Sequence, residues 1–577
     1  MMNISLRAAA LSTSFLMCAC HVGESSVGGT QSSGRDSQSD GRATRAIEST
    51  DRPDELVRSS PTFLEPIVPR AENRPAMFHL ASTTVERAAV PVRTVAVDEG
   101  SDVRIEAFEF VEARARELAS LPYEAEEEAP AFVRELDYDE YRRIEYRRDA
   151  AIFGAPDRPF RVMLDSRGSL FQSDVTINTL SESSLNRVDY DPDRFNFHDL
   201  ELTPEQQAEL GHAGFRVLAP LNEAGRFDEV LSVKGASFFR ALGAGNHYGA
   251  SARGIAVNTA SALGEEFPVF TEFWLQAPSA ADEAFVFYAL MDGPSVTGAY
   301  QFRVDPGSQT LVDVEAVIFA REDTEHVGIA PLTSMFEFAP HDPQTSNTDF
   351  RPRVHDSEGL SVMMSNGEWI WRPLTNPGTL QISSFTTDVP VGFGLSQRTR
   401  SFEDFQDIEA EYQLRPNVWI TPRGGWPDGS LSLVEIPTPN EYNDNIISYW
   451  RLAEPLQAGE RLAFAYQMEW GMDMPINPPT ARVHATRTGI SEVSGRRLFL
   501  VDFKVADLER AIDWDPVVSA SEGEIENVTI TPDPRSGVLR LSFELAAAGG
   551  SNVELRALLN SDGQAASETW LYRWSPA

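Results

Sequence analysis

Leu539-Arg540-Leu541-Ser542-Phe543-Glu544-Leu545 decides the fold class, because apolar and polar residues alternate strictly over seven positions. A strand turns successive side chains to opposite faces, so this segment buries Leu539, Leu541, Phe543 and Leu545 and wets Arg540, Ser542 and Glu544. Working back along the chain, Phe160-Arg161-Val162-Met163-Leu164, Val312 to Phe319 and Leu431 to Ile436 are further strand candidates, separated by Gly and Pro turns. Helical periodicity is confined to the start of this region, where Phe108, Val111, Ala115 and Leu118 recur at helical spacing before Leu121-Pro122. A second short helix is expected around Tyr138 to Asp149. Many short strands without intervening helices predict an all-β protein of sandwiches or large antiparallel sheets, not a parallel α/β fold.

The 577 residues exceed one ordinary core and suggest two to four units. Residues 1–20 read as an export signal, with Arg7 as the positive end and Ala8 to Met17 as an apolar run too short to span a bilayer. Residues 21–104 read as a low-complexity tether and extension: Ser, Gly, Asp and Arg dominate its first part, with too few large apolar residues to offset the entropy of ordering. The globular part then divides into a large unit over 105–474 and a small sandwich over 475–577, hinged near Met472 to Pro479 where Pro475, Pro478 and Pro479 cluster. The only cysteines, Cys18 and Cys20, close the signal, so the folded units have no internal disulfide. Cys20 is a candidate for cleavage and lipid attachment that would tether the protein to a membrane; simple secretion is the alternative.

A formal charge of −38 excludes the basic surface that a nucleic-acid partner requires, and leaves a neutral polymer open. No His-Glu-x-x-His, paired-cysteine, phosphate-loop or Gly-x-Ser-x-Gly signature occurs, so no metal or other cofactor is expected. Carboxylates remain as candidate catalytic groups. They concentrate in Val434-Glu435-Ile436-Pro437-Thr438-Pro439-Asn440-Glu441-Tyr442-Asn443-Asp444-Asn445-Ile446, in Arg353-Val354-His355-Asp356-Ser357-Glu358, and in Asn366-Gly367-Glu368-Trp369-Ile370-Trp371-Arg372. Glycoside cleavage needs one carboxylic acid and one carboxylate, and Asp356 and Asp444 each sit in a polar loop beside apolar strands. The competing reading is that Asp356 caps a turn and that Asp444 fixes a loop with Asn443 and Asn445. Trp369 and Trp371 share one strand face, Glu368 and Arg372 the other; either face would line a cleft, although a buried tryptophan pair is the commoner arrangement. Trp426, on the glycine-rich turn Arg423-Gly424-Gly425-Trp426-Pro427, is expected to be exposed for contact.

With these segments assembled, the chain resembles the periplasmic glucan biosynthesis protein family, OpgG and OpgD, also called MdoG and MdoD. The resemblance runs from about Phe108 to the C-terminus. It rests on Gly235-Ala236-Ser237-Phe238-Phe239-Arg240, Tyr248-Gly249-Ala250-Ser251-Ala252-Arg253-Gly254, Gly264-Glu265-Glu266-Phe267-Pro268, Asp292 to Tyr300, Ala330 to Phe336, His355-Asp356, Gly367-Glu368-Trp369 and Glu435-Ile436-Pro437. It implies a large N-terminal β-sandwich with a long cleft and a C-terminal immunoglobulin-like sandwich. It also implies periplasmic work on the β-1,2-linked backbone of osmoregulated glucans, in the manner of inverting endo-β-1,2-glucanases. On that resemblance Asp444 is the general acid and Asp356 the general base, with Trp369, Trp371, Arg372, Glu368, Trp426, Glu435, Asn443 and His355 as candidate glucan contacts. Tyr442, Gly425 and Gly293 depart from the family pattern, which commonly carries Thr, an acidic residue and Ser at these positions. A non-catalytic glucan-binding or assembly factor and a glucan transferase are the competing functions.

Overall fold

The alternating segment 539–545 lies in the strand Val538–Ala546, paired antiparallel with Arg497–Lys504 so that Phe543 faces Phe499 and Leu541 faces Val501. Leu539, Leu541 and Phe543 are fully buried and Leu545 nearly so. On the opposite face Glu544 accepts hydrogen bonds from Ser494 and Asn527. These strands, with Arg482–Ile490 and Glu524–Asp533, form a four-strand sheet.

This computed structural model describes residues 103–181, 184–342, 349–547 and 552–576. The expected export signal, the Cys20 lipid site and residues 21–102 of the expected extension lie outside the described residues; over 103–106 the helix backbone alone is described. Among the described residues, no helix is long and apolar enough to cross a membrane.

The protein is all-β, with few short helices, as expected. Two large sheets dominate. One has ten strands, running through Arg161–Ser166, His212–Ala219, Asp228–Lys234, Phe238–Ala241, Ser251–Arg253, Val327–Ser334, Ile446–Leu452 and Gly429–Glu435 to the edge strand Gln381–Thr386. The other has fifteen and is centred on Val296–Asp305, Gln309–Ala320 and Arg461–Gly471. Their inner faces interlock through phenylalanines: Phe215 meets Phe273 edge-on at 5.1 Å and Phe239 meets Phe302 at 5.2 Å. This is sandwich packing, in which the apolar stripe of each sheet supplies the other's cover.

The helix Val103–Ala119 lies on the outer face of the fifteen-strand sheet, where Val111 and Ala115 pack with Trp274, Val286 and Tyr288. The expected second helix shrinks to a single turn, Tyr138–Tyr141, opened by an Asp137/Glu140 capping box. The chain then leaves helical geometry because Tyr146 pairs with Phe195 in a short strand and Arg147 N–H donates to Arg194 O. Tertiary pairing here overrides local propensity.

The C-terminal strand Thr569–Trp574 joins the fifteen-strand sheet by parallel pairing with Trp369–Pro373, matching Ile370 to Thr569 and Trp371 to Trp570. That seam determines the surroundings of several residues expected at a cleft.

Candidate functional site

The polar segment between the strands Gly429–Glu435 and Ile446–Leu452 is a loop closed by a 2.8 Å bond from Ile436 N–H to Asn445 O. Asn376 holds it from outside, accepting from Thr438 N–H at 2.9 Å and donating to Thr438 O at 2.8 Å. Asp444 sits at its end with a side chain 16% exposed and Arg240 Nη2 at 3.6 Å. Asp356 follows the two-residue strand Val354–His355, which pairs with Phe336–Phe338, and its N–H donates to Met335 O at 2.9 Å. Its side chain is 10% exposed, with Arg415 Nε at 3.7 Å.

The two aspartates line one cavity of about 250 Å³, together with Arg240, Tyr412, Arg415 and Glu441. Burial pushes the Asp444 carboxyl up to about 6; Arg240 opposes this and the charge of Asp356 adds to it. Burial also raises Asp356, against Arg415 and Arg240. Asp444 therefore feels the charge of Asp356, and the nearest guanidinium differs between them, Arg240 for Asp444 and Arg415 for Asp356. This is the environment that separates a proton donor from a proton acceptor.

A second cavity of about 430 Å³ continues from Asp444, which lines both. Phe238 and Phe267 stack on its wall at 6.5 Å, and the Arg253 guanidinium lies 5.0 and 5.3 Å from their ring centres. Arg253 is fixed by Glu265 at 2.6 Å and by donation to Thr333 Oγ1 at 3.0 Å. Phe267 is 48% exposed, which leaves its ring available to a ligand. Aromatic faces beside a pinned guanidinium suit the apolar faces and hydroxyls of a sugar chain.

Around the first cavity, Arg351 contacts Asp349 at 2.7 Å, Asp407 at 2.8 Å and Glu441 at 2.7 Å. Tyr412 donates its hydroxyl to Glu441, and the Arg415 guanidinium donates to Tyr248 O. The Arg351 bridge from Asp407 to Glu441 and the Tyr412 bond fasten segment 407–415 to the Asp444 loop, and Arg415 ties the same segment to Tyr248. Among the described residues no group of His, Cys, Asp and Glu is arranged to hold a metal ion.

Other expected contacts lie away from both cavities. Trp369 is buried and stacks on Trp419 at 6.0 Å; Trp371 is buried in the C-terminal cluster with the Arg398 guanidinium 3.5 Å from its ring centre. Arg372 and Glu435 form an ion pair at 3.0 Å with side chains 1% and 0% exposed. Glu368 accepts from Arg556 at 2.8 Å and from Thr569 Oγ at 2.6 Å, across the sheet seam. Trp426 folds back under its glycine turn, donating Nε1–H to Ala465 O at 2.8 Å, so the expected exposure is corrected. In each case the joining of distant strands supplies a partner that the local sequence does not reveal. These six belong to core and seam. His355 is fully buried between Phe336 and Phe405, and burial holds its imidazole down at about 3, hence neutral; it packs behind Asp356. Asn443 shapes the loop, donating to Thr438 Oγ1 at 3.3 Å and Asn440 Oδ1 at 3.2 Å.

Arg240, Arg253, Tyr412, Arg415 and Glu441 line these cavities without standing out in the sequence as site residues. Glu441 carries a signal, three residues before Asp444 in the dense polar loop; Arg240 closes one motif block and Arg253 is the penultimate residue of another. Tyr412 and Arg415 carried none, because only tertiary folding brings residues 412–415 to Asp356.

Residues 107–574 match the family model described as periplasmic glucan biosynthesis protein, MdoG. A glucans biosynthesis protein G from Rhodopseudomonas palustris is 43% identical over 85% of this chain and 98% of its own. A protein of the same name from Vibrio cholerae is 42% identical over 80% and 85%, and one from Shewanella frigidimarina 38% identical over 90% and 92%.

Proposed function

The chain belongs to the periplasmic glucan biosynthesis protein family, and from that premise we propose that it acts in the periplasm on a β-1,2-linked glucan backbone as an inverting endo-glucanase. The carrying observation is Asp444: a largely buried carboxyl, raised to about 6, at the meeting of two cavities and coupled to Asp356. Protonated Asp444 supplies the proton that the glycosidic oxygen gains as its bond to the anomeric carbon breaks. Ionised Asp356 takes a proton from the water whose oxygen bonds to that carbon. Either transfer runs directly or through an intervening hydroxyl or water. Cavities on both sides of Asp444 provide for sugar units on both sides of the scissile bond, which favours internal over terminal cleavage.

A second reading is a non-catalytic glucan-binding factor in assembly, favoured by the relatives' name, which speaks of biosynthesis. Early product sizes discriminate the two. Linear β-1,2-glucan incubated with the full chain is expected to yield oligosaccharides of mixed length from the first time points. Intact glucan at high protein loading, with retained binding, would leave the assembly role.

A further inference from the structure

The strand Val327–Ser334 pairs with Ile446–Leu452 up to the rung Ser334↔Ile446, and there its regular ladder stops. Beyond it the chain bends at Met335 into Phe336–Phe338, the strand that pairs with Val354–His355 immediately before Asp356. The opposing chain turns into the loop that bears Asp444. Without a further tie, the two aspartates would hang from segments diverging after one shared rung.

Asn445 supplies the tie. Its side chain, in a residue 1% exposed, accepts from Phe336 N–H at 2.8 Å and donates to Phe336 O at 2.9 Å and Ile436 O at 3.0 Å. The pair of bonds to Phe336 imitates a backbone rung, extending the ladder one residue past Ile446 with a carboxamide. The bond to Ile436 O closes the base of the loop. On the other side of the same segment Asp356 N–H donates to Met335 O at 2.9 Å. Asp356 is therefore one hydrogen bond from Met335, and Asp444 one peptide bond plus one Asn445 hydrogen bond from Phe336. An amide is the side chain that fits: an ionised carboxylate loses both donors, alanine loses all three bonds, and glutamine adds a methylene where no room is left.

We infer that Asn445 is a positioning residue that fixes the separation of the Asp444 and Asp356 carboxyls by anchoring both chain segments to Met335-Phe336. This rests on the hydrolase reading for its catalytic consequence, though not for its structural one. Misplacing a reacting group by about 1 Å costs on the order of 100-fold in rate. The separation of two carboxyls is also what divides inverting from retaining geometry.

The test uses the full chain and three readouts: kcat and KM on linear β-1,2-glucan, calorimetric binding of that glucan, and titration of the Asp444 carboxyl by ¹³C NMR, assigned by its loss in Asp444→Asn. Asn445→Ala is expected to lower kcat by about 100-fold, to leave glucan affinity largely intact, and to return Asp444 toward the ordinary carboxylate range as the freed loop admits water. Asn445→Asp covers the case in which the alanine variant loses its cooperative unfolding transition. Its protonated carboxyl keeps the acceptor for Phe336 N–H and one donor, so its activity should approach the parent's at low pH and fall more steeply than the parent's as pH rises. Parental kcat and an unchanged Asp444 titration in Asn445→Ala would overturn the inference, as would a parental pH profile in Asn445→Asp. If the parent itself leaves glucan uncut, the hydrolase reading fails, while the Asp444 titration still decides whether Asn445 positions the loop.

Discussion

Glu435 offers the sharpest separation between a structural carboxylate and a sugar contact, two roles its sequence context leaves equally open. Its Oε2 lies 3.0 Å from Arg372 Nη2, and its Oε1 accepts from Thr375 N–H at 2.7 Å and Thr375 Oγ at 2.9 Å. Both charged side chains are withdrawn from water, at 0% and 1% exposure. Glu435→Ala leaves the guanidinium buried without its counter-charge, a change that costs about 3–5 kcal/mol. The Thr375 N–H loses its acceptor as well, adding about 1–3 kcal/mol. Since whole domains are stable by only about 5–15 kcal/mol, the variant should unfold at a much lower urea concentration or fail to accumulate. Replacing the pair together, Arg372→Met with Glu435→Leu, removes the stranded charge and should recover much of the loss. The assay is urea denaturation followed by tryptophan fluorescence, with glucan binding measured on the folded fraction. An unchanged midpoint combined with lost binding would refute the structural role and return Glu435 to the glucan contacts.

Three further outcomes follow from the geometry. With Asp444 raised to about 6 as the proton donor, kcat/KM should fall as pH rises through that value, and Arg240→Met should move the fall to higher pH because Arg240 opposes the shift. A folded-state value above the ordinary 3.8 also means that folding favours protonated Asp444, so the stability it contributes is complete below 3.8 and lost as pH rises through about 6. Asp444→Asn should therefore gain stability over the parent across that window, by at most about 3 kcal/mol, read from melting curves at several pH values. Phe267→Ala, which removes the half-exposed ring beside Arg253, should weaken glucan binding about tenfold without shifting the melting temperature appreciably, whereas Trp369→Ala should destabilise the fold and spare affinity; the opposite pattern would put the sugar platform back on the tryptophan strand.

The strands were legible because alternation is local: Leu539 to Leu545 states in seven residues which face is buried, and the partner strand only has to accept it. The helix over 103–119 was legible for the same reason, through Val111 and Ala115. The helix expected over Tyr138 to Asp149 stops after one turn, because pairing of Tyr146 with Phe195 lies beyond any local pattern. Trp369, Trp371 and Arg372 read alike as cleft or core until Thr569–Trp574 arrives from the far end of the chain and covers their strand. Asp356 and Asp444 drew attention as carboxylates in polar loops, but their meeting in one cavity, and the arginines that divide their environments, belong to tertiary structure. Asn445 shows the limit well: nothing in Asn-Asp-Asn distinguishes the asparagine that shapes the loop from the one that staples it to Phe336.

The most direct test of the two-carboxylate mechanism is cleavage of linear β-1,2-glucan near pH 6, close to the raised Asp444 value, by the parent, Asp444→Asn and Asp356→Asn. Products would be resolved by chromatography and folding checked by melting curves. Cleavage by the parent, abolished in both folded variants with glucan binding retained, is the expected result. An inert parent, or a folded variant that cleaves at the parental rate, would contradict it.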